Sequence, residues 1–142
     1  MQANWFEAYA NCRRNHAFLV NINDSMEMEL LANYTLSNDV GTRFWIDGND
    51  LANEGTFLST KTGSHLSFVQ WEKGEPNNVH NAENCVQLVF KGENGTMNDN
   101  WCMAKYYSIC EHEITLPILP VPNSSTELNR KSNSQHTAKR YP

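Results

Sequence analysis

The sequence lacks most of the features that would fix a class at once. No apolar run approaches the roughly 18 residues of a membrane span, and Met1 to Arg14 lack the basic-then-apolar order of a signal peptide. Cys12, Cys85, Cys102 and Cys110 form no CxxC pair, which weakens zinc-ribbon and thioredoxin-like readings. Gly-x-Ser-x-Gly, His-Glu-x-x-His and phosphate-loop motifs are missing, so nothing argues for an enzyme. The five histidines show no repeated metal-ligand spacing, and no heptads are present to cluster subunits, so the oligomeric state stays open. Positive charge is scarce where the aromatics lie. Residues 1–113 hold 7 Lys+Arg against 15 Asp+Glu, net −8, and residues 114–142 hold 4 against 1, net +3, which together give the chain's −5. An acidic domain repels phosphate backbones, so nucleic acid is excluded as a partner and a cation such as calcium fits better.

What is present reads as one domain with a tail. The 142 residues, 39% hydrophobic, suit a single core in residues 1–113. Four cysteines without metal spacing are most simply two disulfides, and sequons at Asn23, Asn33, Asn94 and Asn123 point to the same secreted, extracellular setting. Asn4 with Glu7 predicts a capping box opening a helix from Trp5 to about Arg14, with Trp5, Ala8, Tyr9 and Cys12 inward. Phe18 to Ile22 reads as a strand, and Asp24 with Glu27 opens a second helix that buries Met28, Leu30 and Leu31 before Asn33. Arg43 to Asp47, Phe57-Leu58, Leu66 to Trp71, Cys85 to Phe90 and Tyr106 to Glu111 follow as short apolar pieces, with Trp71, Phe68 and Leu88 as core candidates. Glu72 to Asn84 is a long polar loop of the kind that carries function. Prolines 117, 120 and 122 and the polar run after them predict an extended, then disordered, tail over 114–142.

Several motifs in order carry a resemblance. The cysteine spacing, Phe44-Trp45-Ile46-Asp47-Gly48, Glu75-Pro76-Asn77, and Asn98-Asp99 three residues before Cys102 together resemble the C-type lectin family over residues 4–113. The resemblance implies an α+β fold, with two helices flanking two small antiparallel sheets and long calcium-binding loops at one end. Of the three pairings that four cysteines allow, it selects Cys12–Cys110 and Cys85–Cys102. Asp47 stands where the family usually has glycine, and Met97 where it commonly has tryptophan. Only Met1-Gln2-Ala3 precede the first helix, where the family places a strand that pairs with the last one, so Tyr106 to Glu111 is expected to be an unprotected edge. Synthesis from Met1 would occur in a reducing compartment, in conflict with disulfides, whereas an upstream start with a signal peptide would remove that conflict.

For the site, the resemblance implies calcium ligands at Glu75, Asn77, Glu83, Asn98 and Asp99. Their oxygens match the hard-cation chemistry of calcium, which takes six to eight oxygen ligands. Three carboxylates held together repel one another, so the cation should order the loops. Pro76 is expected to be cis, turning both flanking side chains toward one ion. Glu-Pro-Asn is the family's version for sugars with equatorial 3- and 4-hydroxyls, the mannose type, with Glu75, Asn77, Glu83 and Asn98 also bonding the sugar and Val79 as an apolar contact. An auxiliary calcium site would use Asp50, Glu54, Asn78, Glu83 and Asn84, weakened because Asn78 and Asn84 replace aspartates. The partners implied are glycans or glycoproteins, and the alternative is a lectin-like protein-binding module without sugar activity.

Overall fold

The structure, a computed structural model, describes residues 1–115, 117 and 137–140. The first helix, α1 (Trp5–Arg14), opens on the expected capping box: Glu7 N–H donates to Asn4 Oδ1 at 2.9 Å and Asn4 N–H to Glu7 Oε2 at 3.0 Å. Trp5, Ala8 and Cys12 are buried, with Tyr9 packed beside them. After β1 (Phe18–Leu19) comes α2 (Ser25–Asn38), capped by Asp24, whose Oδ1 accepts from Glu27 N–H at 2.8 Å. This helix runs past Asn33 and buries Met28, Leu31, Ala32 and Thr35. That spacing of i, i+3, i+4 and i+7 turns Leu30 outward, so Leu30, expected inside, is 59% exposed.

Five further strands follow: β2 (Arg43–Asn49), β3 (Cys85–Lys91), β4 (Asn94–Asn100), β5 (Tyr107–Ser108) and β6 (Cys110–Thr115), and then β7 (Thr137–Arg140). One sheet has the order β4-β3-β2-β5 and the other β1-β6-β7. All ladders are antiparallel except β2 with β5, which are parallel, so the first sheet is mixed rather than wholly antiparallel as expected. The core has two parts. Val20, Ile22, Met28, Leu31, Ile46 and Leu88 belong to a cluster against which Phe68 and Trp71 pack, and a second cluster gathers Trp5, Ala8, Cys12, Trp45 and Cys85 under α1.

The disulfides are Cys12–Cys110 and Cys85–Cys102, as the resemblance implied. They close sequence separations of 98 and 17 residues. Loop-closure entropy makes such bridges worth about 4.7 and about 3 kcal/mol against the unfolded chain. Phe57-Leu58 and Leu66 to Trp71 are not strands. They contribute only isolated bridges, Asn49 with Leu58, Leu58 with His65, and Trp71 with Met97. Gly48, at φ +126°, lets the loop come close: a Cβ there would lie 2.8 Å from Val86 Cγ2 and 3.0 Å from Leu66 Cδ1.

The carboxyl end corrects two expectations. Tyr106 to Glu111 is not an unprotected edge, because Ala3 bridges Tyr106, and Phe18-Leu19 pair with Glu111 and Cys110. Most of the 114–142 tail lies outside the described residues, but Thr137–Arg140 is a strand and not a disordered segment: β7 pairs residue by residue with His112 to Thr115 of β6. The physical reason is the open row of N–H and C=O groups on β6 beyond Cys110, which a strand of the same chain can satisfy. The register sets Lys139 opposite Glu113.

Candidate metal and ligand site

Between β2 and β3 lies a long excursion, residues 50–84, held at its base and at its tip. At the base, Asp47 is 2% exposed and its carboxylate accepts from Gly48 N–H (3.0 Å), Thr60 N–H (2.9 Å), the Thr60 and Ser59 hydroxyls (both 2.5 Å) and, more weakly, Lys61 N–H (3.4 Å). Lys61 continues outward to Glu111 (2.9 Å) and Glu113 (3.0 Å) of β6. Burial lowers the Lys61 pKa, but these two carboxylates outweigh it and hold the value above the usual 10.5. Sequence reasoning gave Asp47 no task. The signal was there, since an acid in a buried Phe-Trp-Ile-Asp run must find donors.

At the tip, Asp99 is the clasp. It is 1% exposed on β4, and its two carboxylate oxygens accept from Asn77 N–H (3.0 Å) and Asn78 N–H (2.8 Å). Met97, one turn of alternation earlier on the same strand, is buried and ties the loop again: its N–H donates to Gln70 C=O at 2.7 Å and its C=O accepts from Glu72 N–H at 2.8 Å. The Glu75–Pro76 peptide is cis, as expected. Asn77 Nδ2 donates to Glu75 Oε1 at 2.9 Å, and Val79 N–H is shared between Asn77 Oδ1 (3.1 Å) and Glu83 Oε2 (3.0 Å). Glu83 N–H in turn donates to Asn78 Oδ1 at 3.1 Å. Four of the five proposed ligands, Glu75, Asn77, Glu83 and Asp99, therefore share one hydrogen-bonded knot. Asn98, opposite Gln87 on β4, falls by strand alternation on the other side from Asp99 and joins the knot only through the chain.

The electrostatics of this knot are those of an acidic cluster. Desolvation, then Asp99 and then Glu83, raise the Glu75 pKa from 4.5 to about 7. Glu75 Oε2 is buried without a hydrogen-bond partner. Beside it, the auxiliary set is joined to the first through Asp99. Glu54 is also shifted up, by partial desolvation and by Asp50 and Asp99. Asp50, 2% exposed, accepts Gly55 N–H on Oδ2 at 2.7 Å, while its Oδ1 is buried with no partner. Asn84 contributes its backbone, accepting from Asp50 N–H at 3.1 Å. Among the described residues, no three acidic, His or Cys side chains converge on a single point, because the loop's own N–H groups take up the oxygens of Asp99 and Glu83. Val79 is 43% exposed at the start of a short 3-10 turn, Val79–Asn81. Of the four sequons, Asn23, Asn33 and Asn94 are exposed, and Asn123 lies outside the described residues.

The molecule so described is a small two-sheet α+β domain with two disulfides that offers oxygen-rich loops at one end. A family model for the Lectin C-type domain matches residues 1–112, and the chain belongs to that family. Among proteins it resembles, C-type lectin 37Db of Drosophila melanogaster is 34% identical over 110 residues, covering 78% of this chain and 71% of that protein. Accessory gland protein Acp29AB of the same organism is 34% identical over 108 residues, and there the match spans only 42% of the relative. Among solved structures, the EPNH mutant of CEL-I is 30% identical with a TM-score of 0.71, covering 78% of this chain and 82% of that one. A calcium-independent type II antifreeze protein shares the fold, at 24% identity and a TM-score of 0.65 over 77% of this chain and 78% of the other.

Proposed function

We propose that this domain binds mannose-type sugars reversibly through one loop-held calcium ion, and that it is secreted and has no catalytic activity. One observation carries the reading. A knot of Glu75, Asn77, Glu83 and Asp99 hangs on β4 with a buried Glu75 oxygen that no protein donor meets, beside an equally orphaned Asp50 oxygen. Nature seldom leaves a buried carboxylate oxygen bare, and a hard divalent cation is the partner that this donor set fits. Glu75, Asn77, Glu83, Asn98 and Asp99 would hold the ion; Asp50, Glu54, Asn78 and Asn84, with Glu83, would hold an auxiliary one. When bound, calcium would supply positive charge and open coordination positions for two vicinal sugar hydroxyls. The chain's own part is to orient those hydroxyls: Glu75 accepts a hydrogen bond and Asn77 donates one, which sets the equatorial 3- and 4-hydroxyl preference, with Val79 alongside as an apolar contact. The Asp99 and Glu83 oxygens that accept loop N–H groups each keep a further lone pair, so an ion could be held with those bonds in place and would draw residues 75–83 together.

Two disulfides in a chain of this size fit an oxidising compartment, and no helix among the described residues is long and apolar enough to cross a membrane. The exposed sequons at Asn23, Asn33 and Asn94 agree with glycosylation there. Glycans and glycoproteins are the partners of this reading. A single site of this kind gives millimolar affinity, about −4 kcal/mol, so clustering of sites or glycans would set the useful strength. The second reading is a protein-binding module in which the loops recognise a polypeptide, and it is favoured by the same N–H bonds that keep the carboxylates from converging. Retention of the disulfide-bonded protein on mannose but not galactose, released by EDTA, is the expected result. Failure to bind either column in calcium would leave the protein-binding reading.

A further inference from the structure

Of the four tryptophans, Trp5 and Trp45 are buried, Trp71 packs against the core, and Trp101 alone is open, at 55% exposure. Its position is fixed from three directions. Asn100 Oδ1 accepts from Trp101 N–H at 2.7 Å, Trp101 C=O accepts from Ala104 N–H at 2.9 Å, and the next residue, Cys102, is bridged to Cys85 while its C=O accepts from Trp5 N–H at 2.9 Å. A segment pinned in this way holds a large apolar ring in water where a flexible surface chain would fold it away. Trp101 lies two residues beyond Asp99, so their Cα atoms are within about 7.6 Å. The other segment that Asp99 clasps, through Asn77 and Asn78, carries exposed Val79 just after it. Each of the two segments joined at Asp99 therefore carries one exposed apolar residue within two positions of it or of the residues it clasps.

We propose that Trp101 is a stacking platform for a second pyranose, so that the preferred ligand is an oligosaccharide rather than a single sugar. This rests on the calcium-site reading above. Pyranose rings present C–H faces, and an indole ring binds such faces without needing a particular hydroxyl pattern. The primary site would choose the terminal sugar and Trp101 would reward the presence of a neighbour in the glycan.

The test is titration calorimetry of the disulfide-bonded full chain in calcium with methyl α-mannoside and with a linear mannotriose, for the native sequence, Trp101→Ala and Trp101→Phe. The native chain should bind the trisaccharide roughly tenfold more tightly than methyl α-mannoside, because the neighbour of the terminal sugar adds the Trp101 contact. Trp101→Ala should lose that surplus while keeping monosaccharide affinity within about twofold, and Trp101→Phe should keep part of it. Acrylamide quenching of the native chain gives an independent readout: mannotriose should shield one accessible tryptophan and methyl α-mannoside should not. A surplus that survives Trp101→Ala, or no surplus and no shielding in a native chain that does bind the monosaccharide, overturns the platform alone. No binding of either sugar overturns the calcium-site reading and the platform with it.

Discussion

Two carboxylates, one at the base of the long excursion between β2 and β3 and one within its tip, are treated in opposite ways. Asp47, at the base, is fully enclosed and accepts from Gly48, Ser59, Thr60 and Lys61. Glu75, at the tip, accepts from Asn77 on one oxygen and has no hydrogen-bond partner on the other, and desolvation, with Asp99 and Glu83 nearby, pushes its pKa to about 7. The Asp47 carboxylate is met by protein donors on both oxygens, whereas Glu75 keeps one buried oxygen with no hydrogen-bond partner. A buried carboxylate oxygen without a donor leaves room for a further partner, and the contrast supports the ion site proposed at the tip.

The sharpest way to break this contrast is at Asp99, which belongs to the tip but sits on a sheet strand. Asp99→Ala removes the clasp on Asn77 and Asn78 and a proposed ligand together, and should abolish EDTA-sensitive retention on mannose while the thermal transition of the calcium-free chain moves little by comparison. Retention that persists would mean that Asp99 is a loop staple only. The converse experiment is Asp47→Ala. It takes away the acceptor of Gly48 N–H, Thr60 N–H and the Ser59 and Thr60 hydroxyls and should cost about 2 kcal/mol of stability, lowering Tm by roughly 8 °C. The folded fraction should bind mannose with unchanged affinity. A loss of sugar affinity without a loss of stability would reverse the division between base and tip.

A smaller effect sharpens the contrast through protons. Because the Glu75 pKa is raised from 4.5 to about 7, the calcium-free folded chain holds more protons than the unfolded chain between those values. Its stability therefore falls as pH rises through that window, and calcium must displace a proton below about pH 7. Calcium affinity should accordingly rise with pH by at most about tenfold per unit below 7 and level off above it. Calorimetry in two buffers of different ionisation enthalpy should report the proton released, and Glu75→Gln should remove the dependence. A flat profile from pH 5.5 to 7.5 would show that Glu75 is not the group that calcium meets.

How far the sequence alone reached follows the same division. The capping box at Asn4 and Glu7, the Asp24 cap, and the buried runs at Arg43 to Asp47 and Cys85 to Phe90 were legible because they are local, resting on spacing and on apolar character. The disulfide pairing came through the resemblance, not from the cysteines themselves. What stayed hidden depends on contacts between distant segments. β4 reads Asn-Gly-Thr-Met-Asn-Asp-Asn, too polar to look like a strand, although Gly95, Met97 and Asp99 alternate inward. β7 is a strand only because β6 offers an edge. At the site, the residue identities at Glu75, Asn77, Glu83 and Asp99 were readable and their knot was not, because backbone N–H groups at 77, 78 and 79, invisible in any motif, bind three of those side chains.

The smallest expected effect concerns the auxiliary set, where base and tip meet. Asp50 is buried like Asp47 yet has one bare oxygen like Glu75, and Glu54 faces both Asp50 and Asp99 with its pKa shifted up. Negative charge is already crowded there, and Asn78, whose Oδ1 accepts from Glu83 N–H, contributes none. Asn78→Asp keeps an oxygen at that position and adds a charge. Without a cation the added charge should raise Glu54 further and lower the thermal midpoint slightly. With calcium it should strengthen the weaker of two binding events several-fold, on the order of 1 kcal/mol, since ligand charge tunes calcium affinity, and leave the mannose-over-galactose preference unchanged. Calcium titration followed by thermal melts, with and without EDTA, reads both signs. If Asn78→Asp destabilises in either condition and no second binding event strengthens, then Asp50 and Glu54 serve the base, and only the knot at Glu75 takes an ion.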